Sequence, residues 1–165
     1  LDYLIDKYNK WSSYEPEEKG VMIVYGSMYG NTEVAAENLA TRLVEKGMTN
    51  VVMHDASKTH VSYLISDAFK YSHIVVASAT YNLNIYPPVE NFIRDMKALN
   101  LQKRTVAVIE NGTWAPKAGQ LIHELLEKMK QIKVLENKIL IKSSMKEENI
   151  HELDTLADNI IESMK

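Results

Sequence analysis

The stretch VMIVYGSMYGNTEVAAENLATRLVEKG, residues 21–47, decides the fold of this 165-residue chain. It opens with a continuous apolar run that stops at Gly26, as a buried parallel strand does. A helix is predicted from about Asn31 to Lys46, because apolar residues recur on one face and Gly47 supplies a C-terminal stop. The stretch therefore predicts a strand, a short loop and a helix in succession.

The same alternation of short apolar runs and amphipathic stretches continues to the C-terminus. Further strands are predicted at residues 51–53, 73–77, 105–109 and 138–141. Further helices are predicted at 61–68, from Pro87-Pro88 onward, from near Pro116 and over 150–164. Strict alternation with near-continuous apolar strands predicts a doubly wound α/β fold, a five-stranded parallel sheet with helices on both faces.

The leading segment has a different pattern. Leu4, Ile5, Tyr8 and Trp11 recur at helical spacing, and residues 12–16 break the pattern. We expect residues 1–19 to form a short helix and linker leading in from a preceding domain, and residues 20–165 to form the α/β domain. A helix that packs on this same domain fits the pattern equally well.

Composition excludes several classes of function. The net charge of −3 argues against nucleic-acid binding, which needs a basic face. The absence of cysteine excludes disulfides, thiolate catalysis and thiolate metal ligands, and suits a reducing compartment. No apolar run approaches membrane-spanning length. We therefore expect a cytoplasmic protein that binds neither nucleic acid nor membrane.

The loop after the first strand is a candidate anion site. In open parallel sheets, ligands bind beyond the carboxyl ends of the strands. This loop runs directly into a helix N-terminus, where free N–H groups attract an anion. It lacks the glycine patterns of nucleotide-binding loops and any Lys or Arg, which suits a monophosphate held by neutral donors. A simple capped turn is the alternative. The candidate residues are Ser27, Met28, Tyr29, Gly30, Asn31 and Thr32.

The loops after the third and fourth strands place large aromatic residues at the same end of the sheet. They are predicted at residues 80–88 and 111–119. One aromatic residue in a loop could simply plug the sheet edge. Three unusual loops around one crevice favour a flat aromatic ligand that is anchored through a phosphate. The candidate residues are Thr80, Tyr81, Asn82, Asn111, Gly112, Thr113, Trp114 and Ala115.

These loops resemble known motifs. Residues 27–32 resemble the phosphate loop of flavodoxins, Thr/Ser-x-Thr-Gly-x-Thr, with Tyr29 in place of the usual Thr. That resemblance implies the strand order 2-1-3-4-5. The segments SMYGNTE at 27–33, TYN at 80–82 and NGTWAP at 111–116 are similar to the flavodoxin module of flavodiiron proteins. The segment WSSY at 11–14 resembles the linker that follows their diiron domain.

The resemblance implies FMN, with its phosphate at residues 27–32 and its isoalloxazine at the other two loops. It further implies electron transfer from a reductase or rubredoxin-like donor to a diiron centre that reduces O2 or NO. That centre would lie on another domain, in a head-to-tail homodimer. The family's metal motif, His-x-Glu-x-Asp-His, does not occur in this sequence, and the nearest group, around His151, falls on a predicted helix surface. We therefore expect no metal ligands and no catalytic residue here, so that this chain alone would not complete O2 or NO reduction.

Other functions remain open at this stage. A free-standing flavodoxin and an FMN-dependent NAD(P)H:quinone reductase both fit the same motifs, and a cofactor-free interaction module fits the fold. A receiver-type signalling domain does not fit, because Tyr25, Gly26 and Ser27 stand where acidic residues would have to hold magnesium. A low-molecular-weight phosphatase would need a nucleophilic cysteine.

Overall fold

The computed structural model describes residues 1–112 and 116–165. The strands are β1 (Glu18–Gly26), β2 (Val51–Asp55), β3 (Tyr71–Tyr81), β4 (Asn84–Ile85), β5 (Arg104–Asn111), β6 (Ile132–Val134) and β7 (Ile139–Ile141). The helices are α1 (Asp2–Ser13), α2 (Asn31–Glu45), α3 (Val61–Lys70), α4 (Pro87–Ala98), α5 (Ala118–Glu127) and α6 (Glu147–Glu162).

The main sheet is parallel and doubly wound. Its order is β2-β1-β3-β5, with β6 and β7 both paired to the outer edge of β5. The register places Val24 of β1 between His54 of β2 and Val76 of β3. The predicted fold class is confirmed, and the order corresponds to 2-1-3-4-5 once β6 and β7 are taken as one interrupted edge strand.

The predicted count of five strands is wrong in two places. The fifth strand is split, because β6 pairs with the beginning of β5 and β7 with its end, with polar residues 136–138 between them. The segment 132–134 is too short and too polar to stand out as an apolar run. The strand β4 is also additional, since it folds back on β3 as an antiparallel hairpin.

Two hydrophobic cores cover the faces of the sheet. One includes Met22 and Val24 with residues of α3, α4 and α5. The other includes Val21 and Ile23 with residues of α2 and α6. Because successive strand residues point to opposite faces, and both faces are covered, the strands must be apolar at every position. This explains the continuous apolar runs in the sequence.

A buried arginine joins the segment after α1 to the base of the sheet. Every side chain of α1 is at least partly exposed. Arg104, at the beginning of β5, is only 2% exposed and donates to the carbonyls of Tyr14, Ala68, Phe69, Gln102 and Lys103. Burial lowers its pKa to about 10, which leaves it charged at neutral pH. The linker is thus held at the end of the sheet opposite the candidate site.

None of the described helices combines the length and apolarity needed to cross a bilayer.

Candidate functional site

The loop between β1 and α2 is shaped to receive an anion. Gly30, the N-cap residue of α2, has φ +88°, a left-handed conformation that glycine adopts without steric cost. Its N–H donates to Ser27 Oγ at 2.8 Å, which closes the loop. The first hydrogen bond inside α2 runs from Val34 N to Gly30 O. The N–H groups of residues 31–33 therefore point out of the positive end of the helix.

Most of the predicted site residues converge at a small cavity beside this loop. The cavity has a volume of about 110 Å³, which suits a phosphate-sized group more than a ring system. Its lining residues are all uncharged: Ser27, Met28, Tyr29, Asn31, Thr32, Ala79, Thr80, Asn111 and Gly112. Ala79 was missed because a small apolar residue at a strand end gives no sequence signal. A monophosphate held there would meet neutral donors only.

A larger cavity of about 750 Å³ lies elsewhere, between β7 and α6. Its lining includes Lys142, Glu148 and His151, which are exposed surface residues of that edge. The three loops at the carboxyl ends of β1, β3 and β5 meet at the small cavity instead. The converging hydrogen-bond donors therefore mark the small cavity, and not the larger one, as the candidate site.

Thr80 and Glu110 build the neighbouring helix end. The Thr80 hydroxyl accepts from the N–H groups of Lys117 and Ala118, both at 3.3 Å. Glu110 Oε2 accepts from Gly119 N at 2.9 Å, where any Cβ would approach the carboxylate within 3.0 Å. Both side chains cap the N-terminus of α5. Glu110 was missed from the sequence because its partner is nine residues away across a loop.

The predicted loop from Thr80 to Tyr86 is in large part a hairpin. Tyr81 pairs with Asn84 across a two-residue turn, in which Asn82 and Leu83 have φ of 48° and 61°. Positive φ at both positions is typical of a type I′ turn, which usually carries Asn-Gly. The Asn-Leu pair hid this turn from the sequence. Tyr81 and Asn82, both predicted site residues, lie on the exposed hairpin and outside the lining of the small cavity.

An aromatic pair, Tyr81 and Tyr86, packs at the base of the hairpin. The Tyr81 and Tyr86 rings meet edge-on, with centroids 6.3 Å apart. Gly26, at the end of β1, lies so close to the Tyr86 ring that a side chain there would displace the ring. The hairpin is therefore seated on the end of β1, beside the anion loop.

The start of the third loop is tied to the outer edge of the sheet. Asn111 Nδ2 donates to Ser143 O at 3.0 Å, and Gly112 N donates to Ile141 O at 3.1 Å. These bonds connect the loop after β5 to the turn after β7. Thr113, Trp114 and Ala115 lie outside the described residues, and their predicted contacts with a cofactor stay predictions.

One carboxylate lies close to the anion loop. Tyr25 Oη donates to Glu33 Oε1 at 3.2 Å, in the first turn of α2. Burial, together with the nearby charges of Glu33 and Asp55, raises the pKa of Tyr25 to about 12. Tyr25 thus remains a hydrogen-bond donor at neutral pH and orients the Glu33 side chain, whose own backbone N–H belongs to the free helix end.

Within residues 1–112 and 116–165, no three His, Cys, Asp or Glu side chains come together as a metal site would require. His54 contacts Asp67 at 2.6 Å at the β2 edge. His73 lies between the hydroxyls of Ser72 and Ser163.

Comparisons with known proteins identify the family and the fold of this chain. The flavodoxin family model matches residues 23–153. An uncharacterised protein of Methanocaldococcus jannaschii is 30% identical over 152 residues, which are 91% of this chain and 38% of that protein. The chain spans between 22% and 40% of the length of the curated relatives it matches.

Solved structures share the fold. Rubredoxin oxygen:oxidoreductase from Desulfovibrio gigas superposes with a TM-score of 0.91 at 23% identity, over 99% of this chain and 40% of that one. The flavodiiron protein from Giardia intestinalis superposes with a TM-score of 0.83 at 22% identity, over 96% of this chain and 40% of that one. A flavodoxin from the domain Archaea superposes with a TM-score of 0.74 at 24% identity, over 87% of this chain and 97% of that one.

These matches confirm the predicted resemblance and the predicted cofactor, FMN. The residues present fit that cofactor: a helix end with free N–H groups and neutral donors for the phosphate, and exposed aromatic side chains beside it for the ring. The chain belongs to the flavodoxin family.

Proposed function

We propose that this chain is the FMN-binding electron-transfer domain of a flavodiiron protein. In this role it accepts electrons from a reductase or rubredoxin-like donor and relays them to a diiron O2 or NO reductase centre on another domain. The observation that carries the proposal is the convergence of the free end of α2 with neutral donors from β3 and β5. The protein would act in the cytoplasm.

The chain's own residues have three tasks in this proposal. The N–H groups of residues 31–33 and the Thr32 hydroxyl would bind the FMN phosphate, and Ser27 would hold the loop in shape. The hairpin at Tyr81 and the loop after Asn111 would flank the ring, with Thr113, Trp114 and Ala115 in that loop. FMN, when bound, supplies the capacity to take up two electrons and to release them one at a time.

The match over nearly the whole chain favours a flavodiiron origin over a free-standing flavodoxin. The Desulfovibrio gigas structure covers 99% of this chain, whereas the archaeal flavodoxin covers 87% although nearly all of that protein is matched. We therefore propose residues 1–19 as the helix and linker after a preceding domain, and residues 20–165 as the FMN domain.

Exposed apolar side chains around the site suit a partner surface. Met28, Tyr29 and Tyr81 are 40%, 86% and 40% exposed. Side chains of this size in one exposed area are typical of an interaction surface. We propose that a diiron domain, contributed by the second subunit of a head-to-tail homodimer, covers this rim.

Cofactor and product analysis test the proposal. The purified chain should carry FMN, identified by extraction and chromatography. Supplied with a reductant and O2, it should form peroxide or superoxide and contain no stoichiometric iron. FAD in place of FMN, or a colourless protein that ignores added FMN, would refute the cofactor site. Water as the stoichiometric product, or tightly bound iron, would refute the division of labour between domains.

A further inference from the structure

Lysines are concentrated in one part of the chain. Residues 117–146 contain seven lysines and three glutamates, a net charge of +4 in a chain whose total is −3. The remaining residues therefore carry −7 in total. All seven lysine side chains are exposed. The positive charge is thus a local feature of this segment and not a property of the whole surface.

These lysines do not hold the fold together through ion pairs. Elsewhere, basic side chains pair with carboxylates, as Lys46 does with Asp154 and Lys103 with Glu15. Over residues 1–112 and 116–165, none of the seven lysines forms such a pair. Clustered charges of one sign create a potential that attracts an oppositely charged partner. The segment is therefore suited to recognise negative charge.

Three of these lysines line one groove at the outer edge of the sheet. Lys138, Lys142 and Lys146 lie around the cavity of about 750 Å³ between β7 and α6. The carboxylates in its lining are Glu148 and Glu152, both on α6, so the lysines outnumber them. We call the three lysines the lysine edge. A groove of this size, open at a sheet edge and rimmed by lysines, offers a surface to a partner with acidic side chains.

The lysine edge adjoins the candidate cofactor site. Asn111 donates to the Ser143 carbonyl and Gly112 to the Ile141 carbonyl, and both donors belong to residues that line the small cavity. Lys142 is the residue between these two acceptors. The strands β5 and β3 separate this edge from the loop after β1, where the apolar rim begins. A protein bound at the lysine edge would thus reach the cofactor site from the side away from that rim.

We propose that the lysine edge is the docking surface of the electron donor, and that this donor is a protein with an acidic patch around a one-electron centre. The inference rests on the proposed function and gives the donor a place of its own, separate from the rim that the diiron domain covers. In each encounter one electron leaves the donor, which is oxidised, and enters bound FMN, which is reduced. Opposite charges steer the encounter and raise its rate at low ionic strength.

Charge reversal at the lysine edge tests this surface. The variant Lys138→Glu/Lys142→Glu changes the exposed residues that flank β7. The matched control is Lys58→Glu/Lys97→Glu, which makes the same change in net charge at exposed lysines after β2, the opposite edge strand, and in the last turn of α4. Stopped-flow absorbance of the FMN-loaded proteins measures the second-order rate constant for reduction by a reduced acidic rubredoxin. It is recorded at low ionic strength and at about 1 M NaCl, where the Debye length is about 3 Å.

We expect the lysine-edge variant to lose about tenfold in this rate constant at low ionic strength and to approach the unaltered chain at about 1 M NaCl. The control variant should change the rate constant by less than about twofold. Reduction by a photoreduced deazaflavin, a small reductant without charge, should be equal in all three proteins. The Kd for FMN should also be equal, because the lysine edge serves the protein donor and not the cofactor.

Equal rate constants in the two double variants would overturn the inference, as would FMN that the deazaflavin reduces and the acidic rubredoxin does not. A weaker Kd for FMN with an unchanged rate for the rubredoxin would assign the lysines to the cofactor and would also overturn it. Binding of a single-stranded DNA oligonucleotide that only the lysine-edge variant loses, with unchanged donor rates, would assign the surface to nucleic acid instead. In these cases the FMN site itself would stand. If the unaltered chain bound no FMN, the proposed function would fail together with this inference.

Discussion

Replacing Thr32 with valine tests the phosphate site at a single atom. Thr32 is the second residue of α2 and is only 1% exposed, so valine fills the same space and keeps the helix. The change removes the hydroxyl at the wall of the small cavity. A hydrogen bond to a charged group contributes about 1.5–3 kcal/mol. The Kd for FMN should therefore rise about tenfold to a hundredfold.

Riboflavin, which lacks the phosphate, provides the internal control. Its Kd should stay within about a factor of two, because the ring contacts are unaffected. Fluorescence titration of the flavin-free protein measures both constants, and competition by inorganic phosphate isolates the anion site. Thr155→Val on the exposed face of α6 is the matched substitution at a distance. Equal losses for FMN and riboflavin would show that Thr32 acts through the fold, and the assignment of the phosphate loop would be wrong.

Three further changes probe the loop and the base of the sheet. Gly30→Ala should cost about 1–2 kcal/mol of stability through its backbone alone, because φ is +88° and an added Cβ meets no atom within 4 Å. Gly30→Ala should also weaken the binding of FMN. Gly47→Ala is the control, because Gly47 has a left-handed backbone with equally open surroundings, and it should lower the urea midpoint without changing the affinity for FMN. A loss of FMN affinity in both variants would contradict this prediction. Burial lowers the pKa of His73 to about 4, so the unfolded chain takes up a proton first and stability falls as the pH drops. Between pH 7 and pH 5 the free energy of unfolding should fall by about 2 kcal/mol through His73 alone. Urea unfolding at the two pH values measures this fall, and the His73→Gln variant should not show it. Arg104→Met should lower the free energy of unfolding by about 3–5 kcal/mol, because five buried carbonyls lose their donor. It should also make the linker after α1 susceptible to protease without changing the Kd for FMN. A linker that still resists protease in this variant would refute the anchoring role of Arg104.

The sequence predicted the layered fold because its evidence is local. Strands covered on both faces must be apolar throughout, and the run at residues 21–25 shows this directly. The hairpin turn was missed because Leu83 occupies the position where glycine would have marked it. The split of the edge strand was missed because β6 is three residues long and includes Lys133.

The site was predicted unevenly for the same reason. The anion loop is a continuous segment, so its glycine, hydroxyls and helix start are visible together in the sequence. In the sequence, Arg104 and Glu110 look like ordinary surface charges. The partners of Arg104 come from α3 and the linker, and the partner of Glu110 lies in the first turn of α5. Contacts between distant segments leave no local pattern, and these two residues could be assigned only from the structure.

The two ends of the sheet differ in how far their polar groups are hydrogen-bonded within the protein. At the N-terminal ends of the strands, Arg104 satisfies the carbonyls at the end of α3, and His73 lies between two hydroxyls. At the C-terminal ends, the first N–H groups of α2 point into a cavity, and Leu83 is strained and exposed. Open donors and strain lower stability unless a ligand uses them. The open donors of α2 and the exposed apolar side chains at the C-terminal ends of the strands therefore suit an anionic aromatic cofactor, which can use both.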